Sequence, residues 1–237
     1  MRPIELTPRL QAVAGLVPLG ARLADVGTDH AYLPASLLQQ GVIDTAVAAD
    51  LRPGPLDRAR ATAERYGLTE QISFRLCDGL SGILPEEVDT VVIAGMGGET
   101  IAAILGAAPW VREEGKRLIL QPMSAQEDLR AWLADNGYRI EREVLSREGE
   151  TLYVAMLVTA GEMGPMTPAQ LWAGRQSREQ PAPLRGLWLD KLRGKTARAV
   201  EGLRRSSREG DRTRLERLEE VLEGLDKMKE EWDSWQR

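Results

Sequence analysis

Three aspartates close or follow short apolar segments in the first third of the chain. Asp25 lies in a Leu-Ala-Asp-Val segment, Asp50 closes a Val-Ala-Ala-Asp segment, and Asp78 follows a Leu-Cys pair. If these segments are neighbouring parallel strands, their carboxyl ends meet at one edge of a sheet, where extended ligands bind. Each acid taken alone is also typical of an ordinary strand-end turn. Together they predict a site for a ligand with several hydrogen-bond donors.

The turn after the first apolar segment, Val26 to His30, limits which classes of ligand can bind. The dinucleotide fingerprint G-x-G-x-x-G needs a second glycine where Asp29 stands, which disfavours close contact with a pyrophosphate and hence NAD or FAD. S-adenosylmethionine carries an ammonium, a carboxylate and a ribose, but no phosphate. Asp25 or Asp29 can meet the ammonium, and backbone N–H groups near Gly27 can meet the carboxylate.

The other two acids and a glycine-rich segment suit the rest of that molecule. Asp50 lies 23 residues beyond Gly27, near the spacing at which an acid reaches ribose hydroxyls. Asp78 can accept a hydrogen bond from the adenine amino group, and the glycines of Gly95–Gly98 let the backbone pass close to a ligand. We therefore predict a cofactor site made of Asp25, Gly27, Thr28, Asp29, His30, Asp50, Leu51, Cys77, Asp78, Gly79, Ala94, Gly95, Met96, Gly97 and Gly98.

Histidine and cysteine, whose side chains can take part in catalysis, each occur once in the chain. His30 is the only histidine of the chain, and a single histidine is also typical of a hydrogen-bonded structural residue. The only cysteine, Cys77, is interpreted as strand core rather than as a nucleophile.

Alternating elements must hold these residues in place. Short segments rich in Val, Ile, Leu and Ala predict strands at Arg22–Val26, Thr45–Ala49, Ile72–Leu76, Val88–Ala94 and Leu118–Gln121. Segments of helical length lie between and after them, at Leu33–Gln40, Gly54–Tyr66, Glu99–Leu105 and Ala125–Asn136. This alternation predicts an α/β fold with a parallel sheet covered on both faces. Two further β-rich runs, Tyr138–Leu145 and Thr151–Val158, predict an antiparallel hairpin at its end.

The last third of the chain has a different pattern. Glycines and prolines in 159–168 indicate a boundary, so we expect domains at 1–160 and 161–237. Leucine and tryptophan recur at helical spacing on both sides of a break at Ser206–Asp211, which predicts two long antiparallel helices, a coiled-coil-like hairpin. These stripes can pair within one chain or between two; we favour a monomer.

The motifs resemble those of the bacterial tRNA (adenine-22-N1)-methyltransferases. The resemblance rests on the ten residues Asp25–Pro34, on Ala94–Gly98 and on Leu6–Leu10. It implies a Rossmann-like class I methyltransferase sheet, S-adenosylmethionine as methyl donor, N1 of adenine 22 in tRNA as acceptor, and a C-terminal helical domain. For such an acceptor, Asp29, His30 and Tyr32 are the candidates for catalytic contact, and Gly95–Gly98 is expected to form the pocket wall. The chain departs from the family at Met123, where an asparagine usually follows the preceding Gln-Pro pair.

Charge is distributed unevenly along the chain. Residues 1–160 hold 15 Lys and Arg against 22 Asp and Glu, a net −7, whereas 185–217 hold 11 against 5, a net +6. A local basic face is enough to contact a phosphate backbone. We therefore expect tRNA contacts from Arg9, Arg193, Lys195, Arg198, Arg204, Arg205 and Arg208, the alternative being a solvated helical surface of mixed charge.

Composition removes several other classes of protein. The 237 residues are 43% hydrophobic and 28% charged, as in ordinary globular proteins. We expect no membrane span, no signal peptide and no metal site. One cysteine forms no intrachain disulfide, so we also expect a cytoplasmic location. Two alternatives stay open: a class I methyltransferase acting on a small molecule or a protein, and a non-catalytic RNA-binding protein with a degenerate cofactor fold.

Overall fold

Two compact units make up the chain in the computed structural model, which describes residues 3–180, 182–206, 208 and 210–236. The first unit comprises Met1–Ala125 and Trp132–Met163, and the second comprises Gln126–Ala131 and Gly164–Arg237. The second unit therefore includes the beginning of a helix that lies within the expected domain 1–160.

A seven-stranded sheet forms the centre of the first unit. Its strands follow the order β3-β2-β1-β4-β5-β7-β6, in which β1 to β5 are parallel and β7 runs antiparallel to both β5 and β6. The mostly parallel sheet with a terminal antiparallel hairpin is thus confirmed. The strands are β1 Leu23–Val26, β2 Ala46–Asp50, β3 Ile72–Leu76, β4 Thr90–Gly97, β5 Arg117–Ser124, β6 Tyr138–Glu148 and β7 Thr151–Ala160.

Helices cover the sheet and explain its apolar runs. Every residue of β1 and β2 is buried, as expected for parallel strands covered on both faces. The helices before the hairpin are α1 Pro8–Ala14, α2 Tyr32–Gln39, α3 Pro53–Tyr66, α4 Gly98–Gly106 and α5 Gln126–Asp135, with short 3-10 turns at Pro85–Glu87 and Pro109–Arg112.

Strand β4 runs further than the sequence indicates. We expected it to end at Ala94 before a glycine turn, but it continues to Gly97 beside β5. The pairing register shifts between Ala94 and Met96, so Gly95 is the extra residue of a bulge, and its φ of 82° favours glycine. The glycine-rich segment is therefore an extended, bulged strand end.

The second unit is helical. It contains α6 Pro168–Ala173, α7 Arg185–Arg204 and α8 Asp211–Trp235. Ion pairs between α7 and α8 join residues whose numbers rise on one helix as they fall on the other, Arg193 with Asp226 and Arg204 with Glu219. The expected antiparallel helical hairpin is confirmed. A buried seam of apolar residues holds it together: Leu189, Leu192, Val200, Leu218, Val221, Leu225 and Met228.

Helix α6 was not expected from the sequence. Thr167 caps its N-terminus: the Thr167 hydroxyl accepts a hydrogen bond from the N–H of Gln170. At the other end, the buried Arg185 donates to the carbonyls of Ala173 and Gly174 at 2.6 Å each. These donors satisfy carbonyls that a helix leaves without partners at its last turn.

Candidate functional site

Asp25 is a buried carboxyl near the end of β1. It is 6% exposed, and one of its oxygens accepts a hydrogen bond from the Thr28 hydroxyl at 2.6 Å. Burial raises the pKa of Asp25 from 3.8 to about 6; the nearby charge of Asp50 adds to this rise, while the Thr28 hydrogen bond opposes it. A cation bound beside Asp25 would favour its ionised form, so the group is suited to an ammonium.

Backbone hydrogen bonds tie the ends of the first strands together. The N–H groups of Gly27 and Thr28 both donate to the carbonyl of Ala49, at 2.8 and 3.1 Å, and the N–H of Cys77 donates to the carbonyl of Asp50 at 3.0 Å. Two of the N–H groups near Gly27 that we expected for a cofactor carboxylate therefore already have an acceptor within the protein. Their part in the site is to shape the turn.

Asp50 closes β2 with little exposure. It is 8% exposed, and its Oδ1 accepts a hydrogen bond from the N–H of Arg52 at 2.9 Å. A carboxylate has about four acceptor positions, so this bond leaves capacity for a pair of vicinal hydroxyls. Asp25 and Asp50 thus line the same edge with two nearly buried acids, as the sequence pattern indicated.

The end of β3 gives the edge a more open side. Asp78 is exposed and Cys77 is half-buried, with its Sγ 3.6 Å from the carbonyl oxygen of Gly79. Leu51 and Leu76 leave 63% and 61% of their surface exposed at the ends of β2 and β3. Exposed leucines beside an exposed acid suit the faces and the amino group of a purine ring.

The loop from Gly27 to Ala31 has an unusual backbone. Gly27, Asp29 and Ala31 have φ values of 75°, 45° and 53°, a region that costs energy for residues other than glycine. The exposed Asp29 carboxylate forms an ion pair with Arg58 of α3 and lies 3.7 Å from Nε2 of His30. Because Arg58 already neutralises Asp29, Asp25 is the acid better placed for a cofactor ammonium.

Two aromatic rings stand beside that loop. His30 and Tyr32 are stacked, with ring centres 5.4 Å apart and an angle of 10° between the planes. Tyr32 begins α2 and is 41% exposed. Exposed aromatic faces of this kind can stack on a nucleic-acid base. The structure therefore brings together the three residues that we expected on the acceptor side.

The bulged end of β4 lies close to the Gly27 turn. A Cβ added to Gly27 would stand 2.2 Å from the Met96 methyl, so the Met96 side chain packs directly against the turn. Gly97 and Gly98 follow, and α4 begins at Gly98. The absence of a side chain at Gly27 is what allows this close packing.

The expected tRNA-binding arginines differ in their surroundings. In the helical unit, Arg193, Arg204 and Arg205 form ion pairs with Asp226, Glu219 and Glu201 respectively, and Lys195 lies 5.8 Å from the Trp172 ring centre. Arg198 and Arg208 are exposed, with no acidic partner in the described part of the chain. Arg9 belongs to the first unit and is half-buried.

The described residues hold neither a group of metal ligands nor a helix that could span a membrane. Among residues 3–180, 182–206, 208 and 210–236, no three His, Cys, Asp or Glu side chains are grouped as metal ligands are. None of the helices in those ranges combines the length and the apolarity that crossing a bilayer requires.

Known proteins share both the sequence and the fold. A family model described as a methyltransferase domain matches residues 6–156. The tRNA (adenine(22)-N(1))-methyltransferase of Bacillus subtilis (strain 168) is 39% identical over 162 residues, 68% of this chain and 68% of that protein. The structure of the B. subtilis M1A22 tRNA methyltransferase TrmK has a TM-score of 0.85 at 31% identity and covers 95% of this chain and 99% of that one.

A third relative carries a ligand. Streptococcus pneumoniae Sp1610, solved in complex with S-adenosyl-L-methionine, has a TM-score of 0.77 at 34% identity and covers 92% of this chain and all of the other. The matched residues 6–156 include every candidate cofactor residue from Asp25 to Gly98. The chain therefore belongs to the family of the tRNA (adenine(22)-N(1))-methyltransferases, as its motifs predicted.

Proposed function

We propose that this protein transfers the methyl group of S-adenosylmethionine to N1 of adenine 22 in tRNA. The observation that carries the proposal is the family membership of the chain, together with Asp25, Asp50 and Asp78 at the ends of three adjacent strands. When bound, S-adenosylmethionine supplies a methyl group already activated by its sulfonium.

The first unit provides the donor site in this proposal. Asp25 holds the ammonium, because its raised pKa makes an adjacent cation favourable. Asp50 accepts from the ribose hydroxyls, and Asp78 accepts from the adenine amino group beside Leu51 and Leu76. The remaining members of the predicted cofactor set shape this site through the backbone.

The acceptor side needs positioning more than proton transfer. N1 of adenine has a lone pair and carries no proton, so holding it in line supplies much of the rate without a general base. The target base must leave its stack, at a cost of a few kcal/mol. Tyr32, stacked on His30, offers the extruded base an aromatic face.

The second unit holds the tRNA backbone in this proposal. Arg198 and Arg208 are the first candidates for phosphate contacts, because their charges are not shared with acids of the described residues. Lys195 and the paired Arg193, Arg204 and Arg205 follow, since an ion pair weakens the attraction for a phosphate. We also propose a monomer in the cytoplasm, where thiols stay reduced and tRNA is found.

One assay separates this function from its alternatives. The full chain is incubated with methyl-labelled S-adenosylmethionine and tRNA transcripts that carry either adenine or guanine at position 22, and the nucleosides are analysed. We expect label in 1-methyladenosine from the first transcript only. In a parallel incubation with a cell extract, label in small molecules or proteins, but not in tRNA, would favour the small-molecule or protein methyltransferase. Binding of tRNA without any transfer would indicate a non-catalytic RNA-binding protein.

A further inference from the structure

The bulge in β4 depends on a side chain of the neighbouring strand. The register shift leaves Gly95 without an ordinary ladder partner, and its N–H donates instead to Oε1 of Gln121 at 3.1 Å. Gln121 lies on β5 opposite Ala94 and is fully buried. A side-chain oxygen thus replaces the missing backbone acceptor and fixes the strand end at Gly95.

Arg9 fixes the orientation of that side chain. Its Nη1 donates to the same Oε1 of Gln121 at 2.7 Å, so two donors hold the amide oxygen in place. The amide nitrogen of Gln121 donates to the carbonyl of Pro122 at 3.0 Å and lies 3.6 Å from the sulfur of Met123. Because both ends of the amide have partners, it has one preferred orientation, and Arg9 contributes the shortest of these bonds.

Arg9 is itself held from the other side. It lies in the first turn of α1, which packs against β5, β6 and β7, and its backbone N–H donates to the Glu148 carboxylate at 2.8 Å. Hydrogen bonds from the Thr7 hydroxyl and this N–H keep the pKa of Glu148 below its ordinary value. The ionised Glu148 therefore holds the backbone of Arg9, and the Tyr153 ring lies 5.9 Å from its guanidinium carbon. This setting suits a fixed structural contact better than a phosphate.

We propose that Arg9 is a positioning residue that acts through Gln121 to hold the bulged strand end Gly95–Gly98 in the shape that the methyl transfer requires. The inference rests on the proposed function, because Gly95–Gly98 belongs to the cofactor set that shapes the site proposed there and is the expected pocket wall. It replaces the sequence-based expectation that Arg9 contacts tRNA. The loss of one such bond is expected to change a rate by about tenfold, the factor that corresponds to about 1.4 kcal/mol.

The test compares Arg9→Ala and Arg9→Lys with a matched control, Arg22→Ala. Arg22 is an exposed arginine just before β1, at the opposite edge of the sheet from the candidate site. For each full-length variant we measure amide hydrogen exchange over Gly95–Gly98 without tRNA. We then measure the single-turnover methylation rate at saturating S-adenosylmethionine, and the tRNA dissociation constant as a function of salt.

Arg9→Ala should speed exchange over Gly95–Gly98 and lower the single-turnover rate, each by about tenfold, with tRNA affinity and its salt slope unchanged. Arg9→Lys keeps one donor and should fall between wild type and Arg9→Ala, while Arg22→Ala should match wild type. Unchanged exchange over Gly95–Gly98, or a salt slope flatter by about one, overturns the proposal, and the second result identifies a phosphate contact. If the wild type methylates no tRNA, the proposed function fails, whereas the exchange result still decides the role of Arg9.

Discussion

Asp25 shows how a single side chain can be favourable for binding and unfavourable for stability. Its carboxyl is almost fully removed from water, and among the described residues the Thr28 hydroxyl donates a hydrogen bond to it. Burying a charge that lacks a close counter-ion is costly, which is why its pKa is raised to about 6. The ammonium of the cofactor, in the position proposed for it, would relieve that cost.

Replacing Asp25 by asparagine should therefore stabilise the protein at neutral pH. The folded-state pKa of about 6 lies above the unfolded value of 3.8, so the stability linked to Asp25 is complete below 3.8 and is lost as the pH rises through 6. At pH 8, Asp25→Asn should raise the free energy of unfolding by up to about 3 kcal/mol, from about 1.4 kcal/mol for each pH unit between the two values. Denaturant unfolding of the variant and the wild type at pH 4 and pH 8 measures this difference in the free energy of unfolding.

The same variant has a second expected result. At pH 4 the free energies of unfolding of Asp25→Asn and wild type should be nearly equal, because Asp25 is then protonated in the folded state. S-adenosylmethionine affinity should fall sharply for the variant at pH 8, and for the wild type below about pH 6. Asp44→Asn, an exposed acid in the same unit, is the control. A variant less stable than wild type at pH 8 would contradict the electrostatic account of Asp25.

We expect Asp50, unlike Asp25, to affect mainly the affinity for the ligand and not the stability of the fold. Charge-assisted hydrogen bonds to two ribose hydroxyls are worth roughly 1.5–3 kcal/mol each. Asp50→Ala should weaken S-adenosylmethionine binding by at least about tenfold in titration calorimetry, with the fold retained. Asp44→Ala should bind as the wild type does. Unchanged affinity in Asp50→Ala would limit Asp50 to its hydrogen bond with the Arg52 N–H.

Local sequence predicts these acids, but not their partners. Asp25, Asp50 and Asp78 are recognisable because each stands at a strand end next to an apolar run. Arg58, which neutralises Asp29, comes 29 residues later along the chain and carries no signal of its own. Only the packing of α3 beside the Gly27 loop brings these two charges together, and a single sequence does not show that packing.

The same limit applies to whole elements. Strands β1 and β2 are predictable because burial on both faces requires continuous apolar runs, and every residue of both is buried. The edge strand β3 also begins and ends as expected, at Ile72–Leu76, although only Ile72 is buried. Helices α1 and α6 have seven and six residues, too few to show a helical period. The extension of β4 to Gly97 depends on the Gln121 side chain as a substitute acceptor, which three glycines in four residues do not indicate.

Close packing between α6 and α8 makes a prediction about one glycine. A Cβ on Gly224 would stand 2.5 Å from the Cβ of Ala169, whereas a Cβ on Gly202 of α7 would meet nothing within 4 Å. Gly224→Ala should therefore lower the free energy of unfolding of the helical unit by about 1–3 kcal/mol. Gly202→Ala, the matched control, should raise it by up to about 1 kcal/mol, because alanine is the better helix former.

Thermal and denaturant unfolding of the two glycine variants provide the measurement. Circular dichroism of the full chain at 222 nm is followed in each variant, and the order of stability should be Gly202→Ala, wild type, Gly224→Ala. If Gly224→Ala is as stable as the wild type, α6 and α8 can separate without cost, and the close contact with Ala169 does not hold the helical unit together.

At the scale of the whole molecule, the net charge differs between the first 160 residues and residues 185–217. The first 160 residues carry a net −7, so on average they repel a polyanion, whereas residues 185–217 carry a net +6. The ion pairs of Arg193 with Asp226 and of Arg204 with Glu219 offset part of that positive charge, because both acids lie outside residues 185–217. A net charge taken from residues 185–217 alone therefore overstates what a phosphate would meet. The arginines without an acidic partner among the described residues, Arg198 and Arg208, matter most.

Two double variants with the same change in net charge test this argument. Arg198→Ala with Arg208→Ala removes two exposed arginines that have no acidic partner in the described residues, and Arg204→Ala with Arg205→Ala removes two that are ion-paired. The first pair should weaken tRNA binding and flatten the log–log dependence of affinity on salt by up to about two units, one for each lost phosphate contact. The second pair should change the slope by less, because an arginine that leaves its acid to bind a phosphate gains less.

S-adenosylmethionine affinity supplies the control for both double variants. It should stay at the wild-type value, because the acids proposed to hold the cofactor lie in the first unit and the arginines lie in the second. Equal flattening by the two variants would mean that the tail attracts tRNA through its total charge rather than through particular contacts. Wild-type affinity and slope in both would show that these arginines form a solvated surface and that tRNA is held by other residues.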